Sequence, residues 1–298
     1  MELLRNELKR AGVRTETECP LCRYSSFRIG GCAALALFPQ NREELIACLE
    51  GVRRYGLPYL IIGNASNVVF PDEGFAGAVI FTTAWREVTV NGTCICASAG
   101  APLGAIANAA QRASLTGAEF AHGIPGTLGG AIFMNAGAFG GCMADICRKS
   151  EYYDMRTGEI GVLVGAAHGF SNRTSIYEKH PYYTVLHAEL VLEKGNQSEI
   201  CARMRDYMER RRRTQPLELP SAGSVFKRPE GYFAGKLIED CGLKGTRIGG
   251  AEVSVKHAGF IVNRGGATAE DVKRLCELIR ARVWNETGVT LECEIRFL

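Results

Sequence analysis

The stretch Gly123-Ile-Pro-Gly126-Thr-Leu-Gly129-Gly130-Ala-Ile-Phe-Met-Asn135-Ala-Gly137-Ala-Phe-Gly140-Gly141 constrains this chain more than any other, with seven glycines in nineteen residues. Glycine gives up the most chain entropy on folding, so this density is tolerated where backbone must bend sharply or approach a ligand closely. The spacing matches neither the dinucleotide fingerprint G-x-G-x-x-G nor the P-loop, which needs a lysine after its closing glycine. Neither a Rossmann nor a P-loop fold is indicated. The exposed N–H groups of such a loop can still hold a pyrophosphate, and a tight structural turn is the competing account.

A second small-residue loop, Gly63-Asn64-Ala65-Ser66-Asn67, falls between two apolar runs that read as strands, Tyr59 to Ile62 and Val68 to Phe70. Alone it is a turn. With the first loop it suggests two grips on one large phosphorylated cofactor. Further short runs, Ala78 to Phe81, Val88 to Val90 and Ile95 to Ser98, read as strands, and the Ala-rich Pro102 to Ala113 as a buried helix. Thr184 to Glu193 alternates apolar and polar residues as a half-buried strand does. In Ser198 to Thr214, Ile200, Met204 and Met208 mark one face of a helix. Towards the C-terminus Phe260 to Asn263 reads as a strand and Gly265-Gly266 as a turn. Thr268 with Asp271 three residues on caps a helix to about Glu286, and Val289 to Leu298 alternates as a final strand. Strands and helices in this order indicate an α+β architecture.

At 298 residues the chain has room for two or three packed units. Net charge is only +3 with both signs dispersed, so no electrostatic footprint for nucleic acid stands out. The run Arg210 to Arg213 reads as a solvated helix end whose cations complement the helix dipole. No apolar stretch reaches the roughly 18 residues a membrane helix needs, and Met1 to Val13 reads as a short amphipathic helix rather than a signal peptide. Twelve cysteines without a secretion signal point to reduced thiols and a cytoplasmic location. Cys19 and Cys22 have metal spacing but lack a second pair, so no metal is expected.

In Ser221-Ala-Gly-Ser224-Val-Phe-Lys227 a serine sits among small residues. There is no G-x-S-x-G elbow. A proton donor and a serine in a surface turn remain the readings. His122 and His257 read as structural, since neither has an activating neighbour in sequence.

Seven motifs then occur in order: Tyr24 to Gly31, Ile61 to Asn67, Gly123 to Gly141, Phe170-Ser-Asn-Arg173-Thr-Ser175, Ser221 to Lys227, Ala234 to Glu239 and Leu291-Glu-Cys-Glu294-Ile-Arg296. Together they resemble the UDP-N-acetylenolpyruvoylglucosamine reductase (MurB) family from about residue 23 to the C-terminus. The resemblance implies a two-lobed FAD-binding region of the vanillyl-alcohol-oxidase (PCMH) type, with lobes at 1–80 and 81–197, and a smaller substrate-binding domain at 198–298. It implies an FAD-dependent oxidoreductase of peptidoglycan synthesis that uses NADPH to reduce the enolpyruvyl ether of a UDP-linked amino sugar to UDP-N-acetylmuramate.

By the same resemblance Arg173, Ser224 and Glu294 would be catalytic, and Arg173 and Lys227 would bind substrate. Gly63, Asn64, Ala65, Ser66, Asn67, Gly123, Pro125, Gly126, Thr127, Gly129, Gly130, Asn135 and Ala136 would hold FAD. Glu292 shares the face of Glu294 by period and is its rival. The chain departs from the family in three places. Alanine stands at 65 where glycine is usual, Ser171-Asn172 replace the usual Gly-Tyr before the arginine, and the extra tyrosine-bearing substrate loop of one subgroup is missing. A flavin oxidase of the same fold and a flavin-binding scaffold without turnover are the rival functions.

Overall fold

The computed structural model describes residues 1–298. The chain folds into two compact units built from non-consecutive segments: Met1–Cys19, Ala34–Asn64 and Ala76–Glu209 form the first, and Pro20–Ala33, Ala65–Phe75 and Arg210–Leu298 the second.

The first unit holds two sheets. One has the strand order Arg14–Pro20, Cys32–Phe38, Phe75–Phe81, Tyr59–Ile62, the last two running parallel with Tyr59 opposite Ala78. The helix Arg42–Arg54 covers it. Asn41 caps that helix, acids fill its first turn and arginines its last, so both ends suit the dipole. Its Leu45, Cys48, Leu49 and Val52 pack with Leu4 and Leu8 of the N-terminal helix Glu2–Arg10 and with Leu35, Leu37 and Ile80 of the sheet. Gly51 lets the helices touch: a Cβ there would lie 2.3 Å from Leu4 Cδ1.

The other sheet is antiparallel, in the order Ile160–Val164, Cys147–Asp154, Tyr183–Val191, Cys94–Ser98, Val88–Asn91. The Ala-rich helix Leu103–Arg112 and the short helix Leu128–Phe133 pack on it through Ile106, Ala110, Leu128 and Ile132. The helix Gln197–Thr214 closes the segment. Within its arginine run Arg211 is buried, not solvated, and burial pushes its pKa down. The reason is helical period: position 211 continues the stripe of Ile200, Met204 and Met208, while Arg212 and Arg213 point to water.

The second unit has a four-stranded antiparallel sheet ordered Ser221–Ser224, Phe260–Asn263, Ala251–Val253, Arg247–Ile248. The helices Ala234–Asp240 and Ala269–Thr287 pack on it through Leu237, Ile238, Leu275 and Ile279. The last ten residues are not one strand. Alternation places Leu291 and Ile295 inside, but Phe297 on the same side is exposed, and ladder partners exist in only two places. Lys227 N donates to Glu292 O and Glu294 N to Val225 O; further on, Arg296–Phe297 runs parallel to Val68–Val69. No helix in the chain is long and apolar enough to cross a membrane.

The helix Ala269–Thr287 shows how an exposed helix start is satisfied. Thr268 Oγ1 accepts from Asp271 N at 3.0 Å while Asp271 Oδ2 accepts from Thr268 N at 3.1 Å. Asp72 takes the amides of Ala269 and Glu270 at 2.8 and 3.2 Å. Hydrogen bonds from backbone amides, Thr268 first and Gly250 with it, hold the Asp271 carboxyl below the usual carboxylate range. Asp271→Ala is therefore expected to cost about 1 kcal/mol at pH 7 in urea unfolding. Because the folded pKa is depressed, that contribution is complete above the unfolded value of about 3.9 and is lost as pH falls through the folded one. The gap between variant and wild type should close in unfolding curves taken at successively lower pH, and a gap that stays constant would show that the carboxylate charge does not close this helix.

Candidate functional site

The glycine-rich segment carries a short helix, Leu128–Phe133, rather than forming one loop, and it lies against Ala99 to Leu103. Leu103 N donates to Gly126 O, Leu128 N to Ala101 O and Gly129 N to Ala99 O, at 3.0, 2.9 and 2.8 Å. Glycine at 129 eases this approach, since a Cβ would sit tightly, 3.1 Å from Ala99 Cβ and 3.2 Å from its carbonyl. Gly126 is different: a Cβ there would meet only ordinary contacts. Gly126 and its neighbours Gly123 to Pro125 line a cleft of about 380 Å³ in the first unit, together with Asn64, Arg86, His122 and Thr127. Asn64 Nδ2 donates to Pro125 O at 2.7 Å, which ties the two small-residue loops together. Thr127 Oγ1 is buried with no hydrogen-bond partner, and so is His122 Nδ1. An orphaned hydroxyl in a cleft lined by glycine-rich backbone and an arginine is what an anionic, hydrogen-bonding ligand would satisfy.

Arg173 sits on a tight turn in the same unit. Ser171 and Thr174 exchange backbone bonds at 3.0 and 3.3 Å, and Arg173 lies between them in the left-handed region at φ +57°. Its guanidinium donates to Asn135 O at 3.4 Å and Gly137 O at 3.1 Å. Ser175 Oγ donates to Phe133 O at 2.7 Å, so the turn is stitched to the end of the glycine-rich helix. Ahead of the turn, Phe170 stacks on His168 with centroids 4.9 Å apart. His168 is fully buried, and burial pushes its pKa down, so the ring is neutral. Nδ1–H donates to Gly165 O at 2.9 Å, which leaves Nε2 to accept from Ser150 Oγ at 2.7 Å; that hydroxyl accepts from Tyr177.

Ser224, Lys227 and Glu294 belong to the second unit. Ser224 is the last residue of a bulged strand, opposite Phe260, rather than part of a surface turn. The strand forms because Gly223, at φ +80°, supplies the bulge that an L-residue would resist. Glu294 lies on the neighbouring segment: its N–H donates to Val225 O at 2.7 Å, and its carbonyl accepts from Asn67 Nδ2 at 3.0 Å. Its rival Glu292 is exposed and paired with Lys227. Ala65 O accepts from Ser26 N and Oγ, which fixes Ala65 at φ +45°, a conformation that glycine would adopt without strain.

The residues expected from sequence thus fall into groups. Asn64, Gly123, Pro125, Gly126 and Thr127 line the cleft, and Gly63 backs onto Thr127. Gly129 and Ala136 serve packing. Asn135 uses both ends of its amide within the protein, accepting from Ala144 N at 2.9 Å and donating to Ser171 O at 3.0 Å. His257 is structural, its Nδ1 accepting from Gly259 N, whereas His122 lines the cleft. Arg86 and the Ser150–His168–Tyr177 chain were not legible: no motif surrounds Arg86, and the members of the chain lie 18 and 27 positions from Ser150. No three His, Cys, Asp or Glu side chains gather as metal ligands would. A Cβ on Gly63 would lie 2.1 Å from Thr127 Oγ1. Gly63→Ala is expected to cost about 1 to 3 kcal/mol in urea unfolding through overpacking, with Thr127→Ala in the same chain recovering most of it. A single variant as stable as wild type would mean the two loops meet less closely than this.

Comparison with known proteins follows the same division of the chain. The family model "UDP-N-acetylenolpyruvoylglucosamine reductase, C-terminal domain" matches residues 215–298, and an FAD binding domain model matches residues 33–163. The UDP-N-acetylenolpyruvoylglucosamine reductase of Caldanaerobacter subterraneus subsp. tengcongensis is 48% identical over 94% of this chain and 92% of its own. That of Clostridioides difficile is 46% identical over 94% and 91%. The solved structure of the reductase (MurB) from Thermus caldophilus superposes with a TM-score of 0.79 at 35% identity, covering 96% of this chain and 98% of that one. With an α+β FAD-binding domain, this C-terminal domain and near full-length identity of this order, the chain belongs to the UDP-N-acetylenolpyruvoylglucosamine reductase family.

Proposed function

We propose that the protein reduces the enolpyruvyl group of UDP-N-acetylglucosamine enolpyruvate to UDP-N-acetylmuramate in the cytoplasm, with NADPH as reductant and FAD as resident cofactor, and that Arg173, Ser224 and Glu294 are its catalytic residues. The observation that carries the reading is the backbone bond of 2.7 Å from Glu294 N to Val225 O, which sets the carboxylate-bearing segment beside Ser224 in a chain of this family. FAD, when bound, supplies the hydride for the terminal carbon of the substrate's double bond. The chain's own residues meet the two demands that follow. Negative charge develops on the adjacent carbon and its carboxylate, and that carbon must be protonated.

Arg173 answers the first demand. Its planar fork suits a carboxylate and an enolate-like oxygen, and its two backbone carbonyl partners fix the plane in advance. Ser224 answers the second as proton donor; a hydroxyl is a weak acid toward water and an adequate one toward a carbanion. Its only bond within the unit is a long one to Phe226 O at 3.4 Å, which leaves the hydroxyl little bound. Glu294 polarises the enolate or relays the proton. Lys227 is a point charge for the substrate's phosphates or for NADPH, which would compete with Glu292 for it.

For the cofactor, the cleft residues fit. Thr127 Oγ1 is a buried donor without a partner, and Gly63 and Gly126 bring backbone close to it. Asn64, Gly123, Pro125 and Arg86 complete a wall suited to a pyrophosphate. The lobe boundary near residue 80 has support from the two sheets of the first unit, one ending at Phe81 and the other beginning at Val88.

Thr127→Val keeps the shape and removes the orphaned hydroxyl. FAD titration of the apoprotein should give an affinity weaker by roughly tenfold, with apoprotein stability unchanged or slightly raised; unchanged affinity would remove Thr127 from the cofactor site. For Ser224→Ala, anaerobic mixing with NADPH should bleach the flavin at close to the wild-type rate. Reoxidation by the UDP-sugar should then be slower by about a hundredfold, the scale of losing a general acid. A variant that NADPH cannot reduce would make Ser224 a positioning group for nicotinamide or flavin and would end its role as proton donor.

A further inference from the structure

Two non-glycine residues in the first unit hold left-handed backbone face to face: Asn135 at φ +46° and Arg173 at φ +57°. For L-residues this conformation is disfavoured, and it persists where the surroundings impose it. Around Asn135 they do. Its side chain is buried, its Oδ1 accepts from Ala144 N at 2.9 Å, and its Nδ2 donates to Ser171 O at 3.0 Å. Ser171 opens the turn that carries Arg173, and the carbonyl of Asn135 itself receives Arg173 Nη1 at 3.4 Å. Backbone and side chain of one residue thus hold both the base of the turn and the head of the arginine.

We infer that Asn135 is a positioning residue for Arg173: its amide locks the Ser171–Thr174 turn, and its carbonyl, with that of Gly137, sets the plane of the guanidinium. The assignment rests on the catalytic reading of Arg173. It also explains the residue type. Asparagine is among the few side chains that tolerate left-handed backbone, and it offers one acceptor and one donor on a short stem. Glycine would relax the backbone but drop both bonds. Aspartate would keep the bond from Ala144 N and turn a carboxylate on the Ser171 carbonyl. With both amide ends engaged inside the protein, the side chain is not arranged as a cofactor ligand.

The test uses the FAD-loaded enzyme with Asn135→Gly and Asn135→Asp, each checked for flavin content by absorbance. Flavin content and the rate of bleaching by NADPH should stay within about threefold of wild type, while kcat with the enolpyruvyl substrate falls by roughly tenfold to a hundredfold, the scale of a misplaced catalytic group. In an Arg173→Lys background the same Asn135→Gly change should alter kcat by less than about threefold, since residues acting as a unit are non-additive. Turnover of Asn135→Asp relative to wild type should recover as pH is lowered, because a protonated carboxyl again offers one donor and one acceptor. Loss of FAD, or slowed bleaching by NADPH in step with turnover, would make Asn135 a cofactor residue and overturn the inference. Equal losses in both backgrounds would overturn it as well, by showing that Asn135 acts apart from Arg173. If Arg173→Lys alone turns over at the wild-type rate, the catalytic reading of Arg173 fails first and the positioning role falls with it. If Asn135→Gly does not fold, the pH recovery of Asn135→Asp decides the matter, and a flat ratio counts against the proposal.

Discussion

Backbone pairing between the segment Gly126 to Gly129 and the segment Ala99 to Leu103 is the contact on which the first unit's working surface depends. Three N–H···O bonds of 2.8 to 3.0 Å join them, and Gly129 admits the approach. The consequences run outward. The pairing starts the Ala-rich helix at Leu103, buries Thr127 with its hydroxyl unpartnered, and exposes the Gly126 side of the segment to the cleft. It also delivers Phe133, Asn135 and Gly137 to the Arg173 turn, where their carbonyls receive Ser175 and Arg173. One stretch of main chain therefore serves the cofactor cleft on one side and the arginine on the other.

Seven non-glycine residues have left-handed backbone; three of them, Asn135, Phe139 and Arg173, belong to this part of the first unit, and Ala65 is in the second. Each costs of order 1 kcal/mol or more. At Ala65 two bonds from Ser26 hold the carbonyl, and at Asn135 the amide is bonded at both ends. Departure from the usual glycine at position 65 is thus accommodated locally, by neighbours that impose the conformation the side chain resists.

The second unit solves a different problem, that of holding a carboxylate on a chain terminus. Termini fray unless their backbone is tied down. Here the last segment shares its hydrogen bonds between two neighbours, first Val225 to Lys227 and then Asn67 to Val69. Glu294 lies at the crossover, bonded through N–H to one neighbour and through its carbonyl to Asn67. Glu292, two residues earlier, is on the same side by period but reaches water and Lys227. Burial separates two carboxylates that alternation alone makes equivalent, since Glu294 is half-buried and Glu292 exposed.

Much of this was legible in the residues. Apolar periodicity located the strand Tyr59–Ile62, the helix Gln197–Thr214 and the strand Phe260–Asn263, and Thr268 with Asp271 marked a helix start, because these depend on neighbours within a few positions. The glycine spacing excluded the common nucleotide-binding loops, and seven ordered motifs identified the family that the comparisons bear out. Other features were beyond such reading. Arg211 is buried because a helix stripe continued one step past the apolar residues, and the C-terminal strand broke in two because its ladder partners come from segments about 65 and 230 positions away. The Ser150–His168–Tyr177 chain and the two bonds of the Asn135 amide likewise join groups 9 to 36 positions apart. Local pattern and composition, which act through nearest neighbours and solvent, determined the elements, the fold class and the family of this protein. Which glycines pack and which face a ligand, which carboxylate is anchored, and what holds Arg173 were decided only when the chain closed on itself, because those outcomes depend on hydrogen bonds and close contacts between residues that share no local signal.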